Sequence, residues 1–168
     1  MRTRPGRGKS IVFFLFSLLF SAAVVSAEVI DRVVAFVDDT AITLSEFREN
    51  YAVLKKSMPS VVEEEVLDTM INRVLLLKEA QKMRLEAPDR DEMLKDYIDV
   101  RIKSAVIIKE EEIERFYREQ REGFKGKEYI TVRDEIERYL FELETNRQLK
   151  RHLEELRSGA EISVSLKE

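Results

Sequence analysis

Residues 60–82, SVVEEEVLDTMINRVLLLKEAQK, decide the fold class. Val66, Leu67, Met70, Ile71, Val74, Leu75 and Leu77 recur at helical spacing and form one wide apolar stripe, while Arg73, Lys78, Glu79 and Lys82 take the other side. A stripe of that width has to be covered, so the segment predicts a helix packed into a core. Ser60 and Glu63 have the spacing of a capping box.

Working outward toward the N-terminus, Pro59 ends a preceding helix expected over about Leu44–Ser57, with Leu44, Phe47, Tyr51 and Leu54 on its inner face. Thr43, three residues before Glu46, is its cap, the hydroxyl accepting from the third amide and the carboxylate reaching back. Before that, Val29–Val37 (VIDRVVAFV) is β-branched and partly alternating, and reads as a strand. Asp38-Asp39 is a turn, and Ala41-Ile42 a short return strand.

Toward the C-terminus, Pro88 is expected to stop the 60–82 helix and to open the next, since its missing N–H is not needed in a first turn. Asp89 and Asp91 suit that helix start. Met93, Leu94, Tyr97, Ile98, Ile102 and Ala105 are its inner stripe, and Val106-Ile107-Ile108 a β-branched run that interrupts it. From Glu110 a helical pattern resumes through Ile113, Phe116 and Tyr117. Gly123 and Gly126 mark a loop. From about Thr131 a long amphipathic helix carries Val132, Ile136, Leu140, Leu143, Leu149, Leu153 and Leu156, with Gly159 expected just beyond its end at positive φ. Glu161–Leu166 (EISVSL) alternates as a strand. The fold class is therefore mostly α, about five helices, with short N- and C-terminal strands that pair and lie against them.

The ends and totals bound the function. Arg2, Arg4, Arg7 and Lys9 precede an apolar run from Ile11 to Val25, and Val25-Ser26-Ala27 offers small residues for cleavage. This order predicts a secretory signal peptide over 1–27, cleaved after Ala27; an uncleaved anchor is the competing reading. The remainder, 28–168, reads as one domain that includes the closing helix and strand over 131–166, with no stable membrane insertion after processing. The whole chain holds 29 Lys+Arg and 33 Asp+Glu, and residues 1–27 hold four of the basic and none of the acidic ones, so 28–168 carries 25 against 33, a net charge of −8. An acidic, evenly mixed surface argues against nucleic acid as a partner.

The chain has no Cys and one His, His152, which lies among charged residues and reads as a surface side chain. Thiol chemistry, a His pair and cysteine-ligated metal are excluded. Gly123, Gly126 and Gly159 form no phosphate loop, and no Ser lies in a nucleophile elbow. No catalytic residue, metal site or cofactor is expected. The carboxylates sit on faces expected to be solvated. Among the aromatics, Tyr117, Phe124, Tyr129 and Phe141 lie in or near the Gly123–Gly126 region and could line a groove for an apolar partner.

The order of VIDRVVAFVDDTAITLSEF, VLDTMINRVLLLKEAQKMRL, IIKEEEIERFYREQREGF and VRDEIERYLFELETNRQLKRHLEELRSGAEISV resembles the N-terminal domain of SurA-type periplasmic chaperones over nearly all of residues 28–168. The resemblance implies a periplasmic, ATP-independent holdase that binds unfolded or partly folded exported polypeptides, outer-membrane β-barrel precursors among them. Members of that family commonly carry parvulin-type prolyl isomerase domains between the last two segments, using a pair of histidines. Here only the short stretch around Phe124–Thr131 separates them, too little for a domain of ~100 residues. No prolyl isomerase activity is therefore expected. Candidate client-binding residues are Phe36, Tyr117, Phe124, Tyr129 and Phe141, together with the backbone edge of Val29–Val37. The alternative reading is a structural or adaptor protein in a fixed complex with one envelope partner. Long helices joined by Gly-containing loops also leave room for a homodimer exchanging its terminal helix or strand.

Overall fold

A computed structural model of the chain describes residues 31–166. The expected signal peptide and cleavage point, and the first two residues of the expected 29–37 strand, lie outside the described residues. The element order is β1 (Val33–Val37), β2 (Thr40–Thr43), α1 (Leu44–Ser57), α2 (Glu63–Lys82), α3 (Arg90–Arg101), α4 (Glu110–Glu119), α5 (Tyr129–Gly159) and β3 (Ile162–Val164), with one 3₁₀ turn at Lys103–Ala105. The fold is mostly helical, with five helices and a three-stranded antiparallel sheet of order β2-β1-β3. The strands from the two ends of the described chain do pair: Phe36 faces Ala41 on β2 and Ser163 on β3.

Asp38 holds the corner of the sheet. As first residue of the β1–β2 turn it takes φ 54°, a left-handed conformation that Asp tolerates better than most side chains. Its Oδ2 accepts from Lys78 Nζ of α2 at 2.7 Å, and its Oδ1 accepts from the Glu161 amide, just ahead of β3, at 2.8 Å. The Lys78 ammonium keeps the Asp38 and Asp39 carboxyls below their usual range.

Beneath the sheet lies the main core. Val34, Val37, Ile42, Phe47, Val66 and Ile71 are buried together, and Leu156 and Ile162 close over them from the far end of the chain. A second cluster extends it: Leu76, Ala80 and Tyr97 packed by Met93, Leu94, Leu149 and Leu153. α5 is thus the common wall of α2 and α3. Arg157 Nε donates to Asn72 Oδ1 at 2.8 Å and Nη2 to Asp68 Oδ1 at 2.9 Å, fixing its end against α2.

The helix ends show which local signals act. α1 has the bounds and the capping box read from sequence, with Glu46 N donating to Thr43 Oγ1 at 3.3 Å and Thr43 N to Glu46 Oε2 at 3.0 Å. α2 does not begin at Ser60. Its cap residue is Val62, whose amide donates to Glu65 Oε2 at 3.4 Å; valine has no acceptor, so only the return half of a box forms. Nor does Pro88 end α2. Arg84 takes φ 56°, its amide reaches Gln81 O at 2.9 Å and the Leu85 amide reaches Ala80 O at 3.1 Å. That is a Schellman closure, with Leu85 packing back onto the Ala80 cluster. Pro88 lies before the next cap, Asp89, whose carboxylate accepts the Asp91 and Glu92 amides at 2.8 and 2.9 Å. α3 stops at Arg101, leaving Ala105 exposed rather than on an inner stripe. Gly159 is the last helical residue and has no positive φ; the chain leaves α5 through an extended Ala160. The left-handed positions are instead Lys125 (φ 50°) and Gly126 (φ 82°) in the α4–α5 loop.

His152 is not a surface side chain. It is 12% exposed, and its Nε2 lies 2.6 Å from the hydroxyl of the fully buried Tyr97, joining α5 to α3. Burial holds the Tyr97 phenol above its usual range.

Candidate binding surface

α4 and the first half of α5 form a helical hairpin with its own small core of Ile113, Val132 and Ile136. Ile113 is the apolar position of a helix otherwise rich in charge, and the i, i+4 pair Val132 and Ile136 faces it from α5. Aromatic side chains close the core at the loop end. Tyr117 lies 5.5 Å from Phe124 and 5.4 Å from Tyr129, between ring centres; Phe116 lies 6.4 Å from Phe124 and 5.3 Å from Tyr139. Such spacings favour tilted and edge-to-face arrangements. The Tyr117 hydroxyl donates to Lys127 O at 2.7 Å, which ties the loop to α4.

Beside the aromatic group, Arg133 collects three carboxylates: Glu110 at 2.6 Å, Glu137 at 2.9 Å and Asp134 at 3.0 Å. The Tyr129 hydroxyl donates to Glu110 as well. Arg133 first, and Tyr129 after it, hold the Glu110 carboxyl below its ordinary 4.5. The same carboxylate, by accepting the phenol proton, pushes the Tyr129 pKa up to about 12. These groups lock the start of α4 to the start of α5; no proton transfer chemistry follows from them.

Of the residues expected to bind a partner, Tyr117, Phe124 and Tyr129 are brought together, half-buried, mainly as the wall of the hairpin core. Phe141 sits apart from them, in a groove on the other side of α5. Phe36 is 45% exposed on the sheet, among different elements. The expected free edge at Val29–Val37 is corrected by the topology: β1 is the central strand and both its edges are taken, by β2 and β3.

The sequence reading passed over the residues that shape the open surface. Between the 3₁₀ turn and α4 the chain passes α5 in a segment outside helix and sheet, Val106–Ile108, whose first residue is extended. Ile107 is 78% exposed, and grooves open on both sides of it. One groove, of about 470 Å³, runs toward Phe116, Leu140 and Leu143, with Arg115, Glu144 and Arg147 at its rim. The other, of about 840 Å³, is floored by Val106, Ile108 and Phe141, with Asp134, Glu137, Arg138 and Glu142 around it. Tyr139 and Leu143 add half-exposed apolar surface on α5. The β-branched tripeptide Val106-Ile107-Ile108, isolated between charged helices, is the sequence signal for this surface.

Among the described residues there is no group of three or more His, Cys, Asp or Glu side chains placed to hold a metal ion, and no helix long and apolar enough to cross a membrane. No family model matches the chain, and neither a curated protein nor a solved structure was found to be similar to it.

Proposed function

We propose that this chain is an ATP-independent holdase of the periplasm, of the SurA type without an isomerase domain, acting on unfolded exported polypeptides such as outer-membrane barrel precursors. The observation that carries the reading is the pair of open grooves with charged rims that meet at the exposed Ile107, the larger of them floored by apolar side chains. An exposed apolar side chain set between two concavities can receive apolar segments of a partner, and a rim of both charges tolerates many sequences. The ordered sequence segments that resemble the chaperone family support the same reading.

A holdase acts by mass action. It binds the unfolded chain reversibly and lowers the concentration of free chain that can aggregate, so neither nucleotide nor cofactor is required. The core beneath the three-stranded sheet holds the C-terminal half of α5, and the grooves lie along the hairpin's α5 wall. The test is light scattering of a urea-unfolded outer-membrane barrel diluted into buffer with the chain from Glu28 onward. Suppression that rises with dose and saturates near equimolar ratio, with or without ATP, is expected. No suppression at several-fold excess of folded protein would sink the reading and leave the fixed adaptor as the better account, to be sought by pull-down with one tight partner. Acceleration of proline isomerisation in a model peptide would overturn the assignment as a chaperone without isomerase activity.

A further inference from the structure

The segment Val106–Ile108 has the properties of a β-strand that lacks a neighbour. Its flanking backbone is extended, with Val106 at φ −85°, ψ 120° and Lys109 at φ −85°, ψ 148°. Its side chains alternate as a pleated strand requires: Val106 is buried, Ile107 points out, Ile108 is half-buried against the hairpin core. Val106 N–H closes the 3₁₀ turn on Lys103 O and Lys109 N–H reaches the Glu112 carboxylate. Among the described residues, nothing accepts from the amides of Ile107 and Ile108 or donates to the carbonyls of Val106, Ile107 and Ile108. Successive amides of a strand point to opposite edges, and both Ile107 and Ile108 border the two grooves.

We infer that Val106–Ile108 is a docking strand onto which an extended polypeptide adds through main-chain hydrogen bonds, its alternate side chains entering the groove floored by Phe141. This rests on the holdase reading and specifies how a client is held. Strand addition takes affinity from the backbone and selectivity from the pockets for alternate side chains. Strands of membrane barrels alternate apolar and polar residues with period two. One apolar face can thus enter the groove while the other stays in water. The charge of the rim selects further. Asp134, Glu137 and Glu142 stand against Arg138 around the larger groove, with Arg133 paired to the first two, and Glu112, Glu119 and Glu144 stand against Arg115 and Arg147 around the smaller, so both rims are net negative. The occupant is therefore an extended segment of apolar residues alternating with Lys or Arg, not with Asp or Glu.

The probes are short acetylated peptides alternating Val with Lys, the same peptide N-methylated at every second amide, and one alternating Val with Glu. Binding to the chain from Glu28 onward is read by fluorescence anisotropy, and amide exchange at Ile107 and Ile108 by NMR. The Val-Lys peptide is expected to slow exchange at one or both amides by about ten-fold or more, and N-methylation to weaken binding by at least about ten-fold. The Val-Glu peptide is expected to bind more weakly than Val-Lys, by a factor that shrinks as salt is added. Unchanged exchange at Ile107 and Ile108 with the peptide bound, equal binding of the N-methylated form, or no binding overturns the docking strand. Suppressed barrel aggregation together with unprotected amides would overturn the strand and leave the holdase standing. Protected amides with no suppression would do the reverse.

Discussion

The two ends of α5 are built alike and held differently. At the C-terminal end, Leu149, Leu153 and Leu156 pack on α2 and α3, His152 meets Tyr97, and Arg157 binds α2, while β3 just beyond is clamped into the sheet. At the N-terminal end, Val132, Ile136 and Leu140 face only the hairpin partner α4, its flanking segment and the loop. One end is ringed by elements from the whole chain; the other has one close neighbour. Amphipathic pattern alone sets neither outcome. The number of elements that close over a stripe does, and the end with one neighbour is the end where apolar surface is left open. Regions with few buried apolar contacts open at lower free energy than the core they adjoin. The grooves therefore sit on the part of the molecule best able to adjust to a ligand.

This contrast can be broken by substitutions on its two sides. The largest effect is expected from Ile71→Ala in the main core, which should lower global stability by about 2–5 kcal/mol in urea denaturation followed by circular dichroism. Ile136→Ala in the hairpin should be felt as faster amide exchange confined to α4 and the first turns of α5, with the main urea midpoint moved less than by Ile71→Ala. Equal shifts from both would mean that hairpin and body unfold as one unit. Tyr97→Phe, which strips the His152 ring of its partner, should cost about 1 kcal/mol and appear in the main transition, because it joins α3 to α5. The smallest effect belongs to Glu110. Its folded-state pKa is depressed, so the hairpin gains stability at pH above the ordinary 4.5 and loses it as pH falls through the lower folded value. Amide exchange in α4 should accelerate on acidification through that window, and Arg133→Met should flatten the dependence.

Much of the fold was legible because its signals are local and strong. The Thr43–Glu46 box needs only two side chains at a fixed spacing, and it set the start of α1 where the sequence had placed it. The stripe of α2 is long enough that one reading satisfies it. Other ends were decided by tertiary packing. Arg84, a residue with no special liking for positive φ, takes the Schellman position because Leu85 finds the Ala80 cluster there. Pro88 and Gly159, the more conspicuous punctuation, play other parts. His152 looked exposed among Lys150, Arg151, Glu154 and Glu155, and only the approach of α3 turns its ring inward. The candidate surface was the least legible part. Aromatic residues near the loop were easy to single out, yet three of them serve chiefly to close the hairpin. What Ile107 does depends on which neighbours fail to cover it, and no local pattern carries that information.

The position of β1 between two strands has a consequence for how the molecule comes into being. Asp38 and Glu161, which meet beside that strand, are separated by 123 residues, and Ser165 and Val33 by 132. A ribosome delivers β1 well before β3. Until β3 arrives, β1 has one edge unpaired, and an open strand edge is ready to pair with other chains. Closing so long a loop is a late, slow event. If this protein guards others against premature pairing, it must first pass through the same hazard itself, and the arrival of β3 is what ends it.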